Sequence, residues 1–170
     1  EEPPAGVTII LVTEQPEQLL PTTLSRCSLV RFGMLPQAFV SERLVDQGVD
    51  RTEADFWAVY TSGSIGRAIE LHRQGLYATK RELVERLGRM GPAGDGELSE
   101  HLAKTADALA AQLVREAKGD SGAELSKNLA TRTAAGGMLE MLASVWRDAL
   151  TLATGAERPL VHADQPESVR

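Results

Sequence analysis

At 170 residues, the chain is long enough for one good core or two small domains. Its 42% hydrophobic and 25% charged content are those of an ordinary globular protein, and a net charge of −6 excludes a surface built wholly for nucleic acid. An aromatic content of 4% leaves no stacking platform for single strands, and no apolar run approaches the length of a membrane span. The single cysteine, Cys27, rules out an internal disulfide framework and suits a reducing cytoplasm.

Residues 7–13 are a nearly continuous β-branched and apolar run, which predicts a strand buried on both faces of a parallel sheet. Gln15-Pro16 ends it. Pro21 then fits the first turn of a short helix reaching about Arg26, because its missing N–H costs nothing there. Leu29, Val30 and Phe32 predict a second short buried strand. Arg26 falls at the helix-to-strand junction, where a side chain projects from a rigid support; a surface arginine capping the last helical carbonyls suits the same place. A strand without partners is not stable, so a chain opening on one is expected to be the C-terminal portion of a longer protein. No G-x-x-x-x-G-K-[ST] phosphate loop occurs in these residues.

The next stretch reads as a bundle of four helices. Pro36 opens the first, with Phe39, Val40, Leu44 and Val45 at helical spacing and Gly48 as its stop. Thr52 is the expected N-cap of the second, with Phe56, Val59 and Tyr60 inward. Ser64 is the expected cap of the third, opened by Gly63-Ser64-Ile65-Gly66-Arg67-Ala68, whose glycines let backbones pack closely. Leu76, Leu83, Val84 and Leu87 mark the buried stripe of the fourth. Across residues 67–89, Arg67, Arg73, Lys80, Arg81, Arg86 and Arg89 form the most basic portion of the chain. It reads either as a phosphate-facing patch or as a solvated helix face with pairs such as Glu82–Arg86 and Glu85–Arg89, and the second is favoured.

Residues 91–96 are the clearest linker. Beyond it, Leu98, Leu102, Leu109, Leu113 and Val114 predict an amphipathic helix ending near Gly119. A longer one begins around Ala123, with Leu125, Leu129, Met138, Leu142, Val145, Trp146, Ala149 and Leu150 inward. The end at Ser168-Val169-Arg170 reads as lying inside a further helix. His72, His101 and His162 are scattered, without metal-ligand spacing to Cys27. Cys27 itself is expected to be a small buried residue behind Arg26.

Four segments carry a family resemblance: Glu1-Glu2-Pro3-Pro4; Thr8-Ile9-Ile10-Leu11-Val12-Thr13 with Glu14-Gln15-Pro16-Glu17; Leu19-Leu20-Pro21-Thr22-Thr23-Leu24-Ser25-Arg26-Cys27; and the Gly63–Ala68 stretch. In this order they closely resemble the second half of the nucleotide-binding domain, and the lid, of clamp-loader AAA+ proteins. Trp146-Arg147-Asp148-Ala149-Leu150 resembles that family's collar helix. The resemblance implies a mostly α chain: residues 1–34 ending an α/β AAA+ domain with the sensor 1 strand and the arginine-finger segment, 35–91 a helical lid, and 92–170 a truncated helical collar.

By the same resemblance Arg26 is an arginine finger acting in trans, supported by Ser25 and Cys27, and Thr13 (or Glu14) faces nucleotide. The family's sensor 2 arginine follows two places after the glycine-serine pair; here Gly66 holds that place and Arg67 comes one later. One residue turns a helix by about 100°, which favours a structural or interface role for Arg67 over a phosphate contact. No cofactor is implied for this chain; ATP would sit in the neighbouring subunit. The implied partners are gamma/tau and delta clamp-loader subunits in a hetero-pentamer, the sliding clamp and primer-template DNA, in the cytoplasm and without a membrane. The implied function is loading the clamp during replication, with the chain stimulating ATP hydrolysis rather than performing it. An ATP-hydrolysing gamma/tau-type subunit and a non-catalytic helical scaffold are the alternatives.

Overall fold

The structure, a computed structural model, describes residues 6–90, 96–120 and 125–169. Among these residues there are helices and turns and no strand. Two compact units divide the chain, one ending at Gly33 and one beginning at Met34.

In the first unit a 3-10 turn, Pro16–Gln18, precedes the short helix α1, Pro21–Leu24, which has proline at its start. The two expected strands do not form. Val7, Ile9, Ile10, Leu11 and Val12 are exposed, as are Leu29, Val30 and Phe32. A strand is held by a ladder to a neighbour, and no second strand exists among the described residues to supply one. The apolar, β-branched composition of residues 7–13 is that of a central strand, but among the described residues nothing pairs with it or covers it.

The second unit is built from α2 (Gln37–Asp46), α3 (Arg51–Tyr60), α4 (Ile65–Arg73), α5 (Leu76–Arg89), α6 (Gly96–Asp120), α7 (Lys127–Thr154) and α8 (Pro166–Val169). Gly48 stops α2 in the left-handed region, at φ +88°. Asp50, not Thr52, caps α3: its carboxylate accepts from the N–H groups of Thr52 (2.8 Å) and Glu53 (3.4 Å). A carboxylate is the stronger cap because it also opposes the positive end of the helix. Ser64 stands at the N-cap of α4 but its side chain makes no capping bond. Gly63, at φ +86°, lies so close to Leu35 that a Cβ would sit 2.1 Å from the Leu35 carbonyl oxygen. Only glycine allows that approach.

One core runs through the unit. Val40, Leu44, Phe56, Trp57, Ala68, Leu76 and Leu83 share it with Leu109, Ala110, Ala130, Ala134, Met138, Met141 and Val161, so residues on both sides of the expected linker pack together. Trp57 is wholly buried, and its indole N–H donates to Glu53 one turn earlier at 2.9 Å. Ser41, buried in α2, hydrogen-bonds Asp55 of α3. The linker and the expected helix start near Ala123 lie largely outside the described residues; α6 begins at Gly96 and α7 follows Ser126, whose hydroxyl accepts from the Leu129 N–H at 3.3 Å.

Several residues expected inward point out. Phe39 and Val45 on α2, and Leu129, Trp146 and Leu150 on α7, are exposed. The true inward stripe of α7 is Ala130, Ala134, Met138, Met141, Val145 and Asp148, at steps of three and four. Helix α7 carries apolar residues on more than one face, and its Ala130 and Ala134 are fully buried in the shared core. Gly136-Gly137 does not break it.

Trp57 anchors this core, so Trp57→Ala is expected to cost about 3–5 kcal/mol. Equilibrium urea unfolding followed by far-ultraviolet circular dichroism checks this; a loss below about 1 kcal/mol would contradict the packing.

Candidate functional site

The Ser25-Arg26-Cys27 turn is closed by its own backbone. The N–H groups of Ser25, Arg26 and Cys27 donate to the carbonyls of Pro21 (2.9 Å), Thr23 (3.1 Å) and Leu24 (3.2 Å). The Ser25 hydroxyl donates to the Thr22 carbonyl at 3.1 Å. These bonds already give the carbonyls of α1 a donor, and the Arg26 side chain bonds none of them. Arg26 is exposed, and among the described residues its guanidinium has no hydrogen-bond or ion-pair partner. Cys27 is exposed as well, not buried behind the arginine; the helical turns of this unit contain no buried residue. The arrangement offers a permanent planar cation, with five donors in a fork, on a short hydrogen-bonded base.

Thr13 and Arg67 are engaged differently. The Thr13 hydroxyl accepts from the Gln15 N–H at 3.1 Å, which bends the chain after residue 13. Arg67 pairs with Glu140 of α7, and its guanidinium carbon lies 5.8 Å from the Tyr60 ring centroid. Burial, with the Glu140 charge beside it, raises the Tyr60 hydroxyl above its ordinary pKa, while Arg67 pulls it back. The rest of the basic stretch divides. Arg86 and Arg89 make the expected pairs with Glu82 (3.0 Å) and Glu85 (3.7 Å). Lys80 does not belong to a solvated face at all.

Lys80 is completely buried in α5. Its ammonium donates to Asp164 Oδ1 at 2.6 Å and to Gln165 Oε1 at 3.0 Å, and lies 4.4 Å from the Phe56 ring centroid. Burial lowers its pKa, and the opposing pull of the Asp164 carboxylate does not make up the difference. Tyr77 donates to the other Asp164 oxygen at 2.8 Å; burial and that bond push the phenol well above its ordinary range. Lys80 sits four residues after Leu76 and three before Leu83, on the apolar stripe of α5. That position was the available signal for burial; nothing in the sequence pointed to a partner 84 residues away.

Beside this group, Ser144 and His162 stand at hydrogen-bond distance, Oγ to Nε2 at 2.9 Å. A serine beside a histidine is the start of an activated nucleophile. Here the serine proton is committed to the Met141 carbonyl at 2.7 Å, so the Nε2–H donates to the serine oxygen. The neighbouring carboxylate, Asp148, accepts from the His162 backbone N–H at 2.7 Å and not from Nδ1, which has no partner among the described residues. Both side chains are buried. The set works as a joint between α7 and the returning chain, not as a catalytic triad. A cavity of about 270 Å³ between α3 and residues 160–164 has Asp55 and Asp164 on its wall, both already bonded to other side chains. Among the described residues no three His, Cys, Asp or Glu side chains group in a way that could hold a metal, and no helix is long and apolar enough to cross a membrane.

A family profile described as DNA polymerase III, delta subunit, matches residues 1–36, the segment that contains the Arg26 turn. Over all 170 residues the chain is 27% identical to the delta' subunit of DNA polymerase III from Bacillus subtilis (strain 168), covering 46% of that protein. Over 96 residues, 56% of the chain, it is 32% identical to the delta' subunit from Escherichia coli (strain K12), covering 29% of that protein. The chain is delta-prime-like. It spans less than half the length of these curated relatives. No solved structure matches it.

In this delta-prime-like chain, burial pushes the His162 imidazole down to about 4, and the Lys80 charge adds to the effect. An unfolded imidazole takes its proton at about 6.5, so between these values the unfolded chain binds more protons than the folded one. Stability is therefore full above about pH 6.5 and falls as pH drops toward about 4, by about 3 kcal/mol from this group. Urea midpoints across that window read the slope. It is expected to flatten in His162→Gln, and an unchanged slope would place the titration elsewhere.

Proposed function

We propose that the chain serves a clamp loader of the DNA polymerase III type, and that Arg26 acts in trans on ATP held by an adjacent gamma/tau-type subunit. The observation that carries this reading is an exposed guanidinium, unpaired among the described residues, on a self-bonded turn within the segment that matches the delta-subunit family. During phosphoryl transfer, charge spreads over the γ-phosphate oxygens, and a forked cation brought to them lowers the barrier. Ser25 fixes the turn through the Thr22 carbonyl, and Cys27 continues it through Leu24. The curated names of both relatives support a delta' role over a gamma/tau role.

On this reading residues 1–34 end an AAA+ nucleotide-binding domain, residues 35–91 form its lid, and residues 92–170 belong to a collar that packs in a hetero-pentamer with gamma/tau and delta subunits. Exposed Val7, Ile9, Ile10, Leu11 and Val12, with Leu29, Val30, Phe32 and Met34, support the first assignment, as side chains that a larger sheet would cover. Exposed Leu139, Trp146 and Leu150 on α7 support the last. Thr13 would face nucleotide only if the full protein binds it. Arg67, paired with Glu140, is read as a tie between α4 and α7 and not as a phosphate ligand. The sliding clamp and primer-template DNA would be met through the assembled complex, in the cytoplasm.

Replacing Arg26 with alanine in the full-length subunit is expected to lower the DNA- and clamp-stimulated ATPase of the reconstituted loader by at least about tenfold; fingers supplied in trans contribute about 10³–10⁵ in GTPase systems. Assembly by gel filtration and helicity by circular dichroism should stay unchanged. Normal hydrolysis in a correctly assembled complex would favour a scaffold role and remove the finger.

A further inference from the structure

After α7 ends at Gly155, the chain turns back and lays residues 160–169 across three helices. His162 meets α7 through Ser144 and Asp148, and its ring lies 5.4 Å from Phe56 of α3. Asp164 reaches Lys80 and Tyr77 of α5, and the Gln165 amide donates to the Arg81 carbonyl at 3.3 Å. Turn bonds run from the Gln165 N–H to the His162 carbonyl (3.0 Å) and from the Ser168 N–H to the Gln165 carbonyl (3.2 Å). At the far end Val169 packs with Val84 and Val145. Ser168 there lies so close to Gly88 that a Cβ on the glycine would come within 2.5 Å of the Ser168 carbonyl oxygen.

We propose that this segment is a strap that seats in one register only, and that the Lys80–Asp164 pair is its catch. The apolar grip of the strap is small: Val161 and Val169 are its buried aliphatic residues. Apolar contacts alone tolerate sliding, because one methyl packs much as another does. An ammonium with no exposure does not. Asp148 of α7 also acts on the Lys80 charge, but Lys80 has a carboxylate in hydrogen-bond contact only when Asp164 lies opposite, and a shifted strap leaves the buried ammonium without that bonded partner. Seating is therefore all or none, and it sets how α5 lies against α7. The strap thus acts as a conformational lock between the first four helices of the unit and the α6–α7 pair. This inference does not depend on any role of Arg26.

Amide hydrogen exchange on the full chain tests it at one atom, the His162 backbone N–H held by Asp148. In Asp164→Asn, which keeps the shape and removes the charge, His162 exchange is expected to rise about a hundredfold while amides in α3 keep their protection. In the double replacement Lys80→Met with Asp164→Leu, both charges are gone and protection at His162 should return to within about tenfold of the parent. Three results would overturn the proposal. His162 exchange could be unchanged in Asp164→Asn. That variant could instead unfold, or lose protection equally in α3, which would make the segment ordinary core. Or the double replacement could stay as open as the single one.

Discussion

A positive charge with no water around it is the strictest demand this chain makes on itself. The ammonium of Lys80 has zero exposure, and its needs are met by a carboxylate, an amide oxygen and the face of a phenylalanine ring. Such a pair contributes little against an apolar replacement of the same volume, yet breaking it by removing one partner typically costs about 3–5 kcal/mol. Its value lies in selection among packings. The carboxylate that meets the buried lysine of α5 comes from Asp164, 84 residues further along the chain.

The region beginning at Met34 holds together as one unit, although the sequence reads as a four-helix bundle, a linker and two long helices. Trp57, Met141 and Val161 come from three separate stretches and share one core. Arg67 and Glu140 add a second tie at the surface. Half-exposed ion pairs of this sort contribute about 0–1 kcal/mol, so the buried set, not the surface pair, fixes the arrangement.

Helix positions were legible because periodicity, glycine stops and prolines are local signals. Gly48, Pro21 and the α5 stripe all fell where the pattern put them. Burial was less legible wherever it depended on a partner. Residues 7–13 carry the composition of a central strand, but composition does not supply the neighbouring strand. On α7, Trp146 and Val145 are adjacent and both apolar; only the facing helix decides which turns inward. The Arg26 turn was legible as a position from Pro21 and the short helix, and its self-closing bonds follow from residues within six places of each other. The burial of Lys80 is not legible locally, because lysines as a class face solvent and the carboxylate that allows this one inside lies 84 residues away in Asp164.

The chain has two tryptophans, and they occupy opposite environments. Trp57 is sealed in the core with its N–H on Glu53; Trp146 is 64% exposed on the outward face of α7. Their fluorescence separates two events that most proteins report together. Loss of the Trp57 environment registers unfolding, whereas desolvation of Trp146 registers whatever comes to lie against α7. With one indole replaced by phenylalanine at a time, the chain becomes its own gauge of folding on one channel and of association on the other.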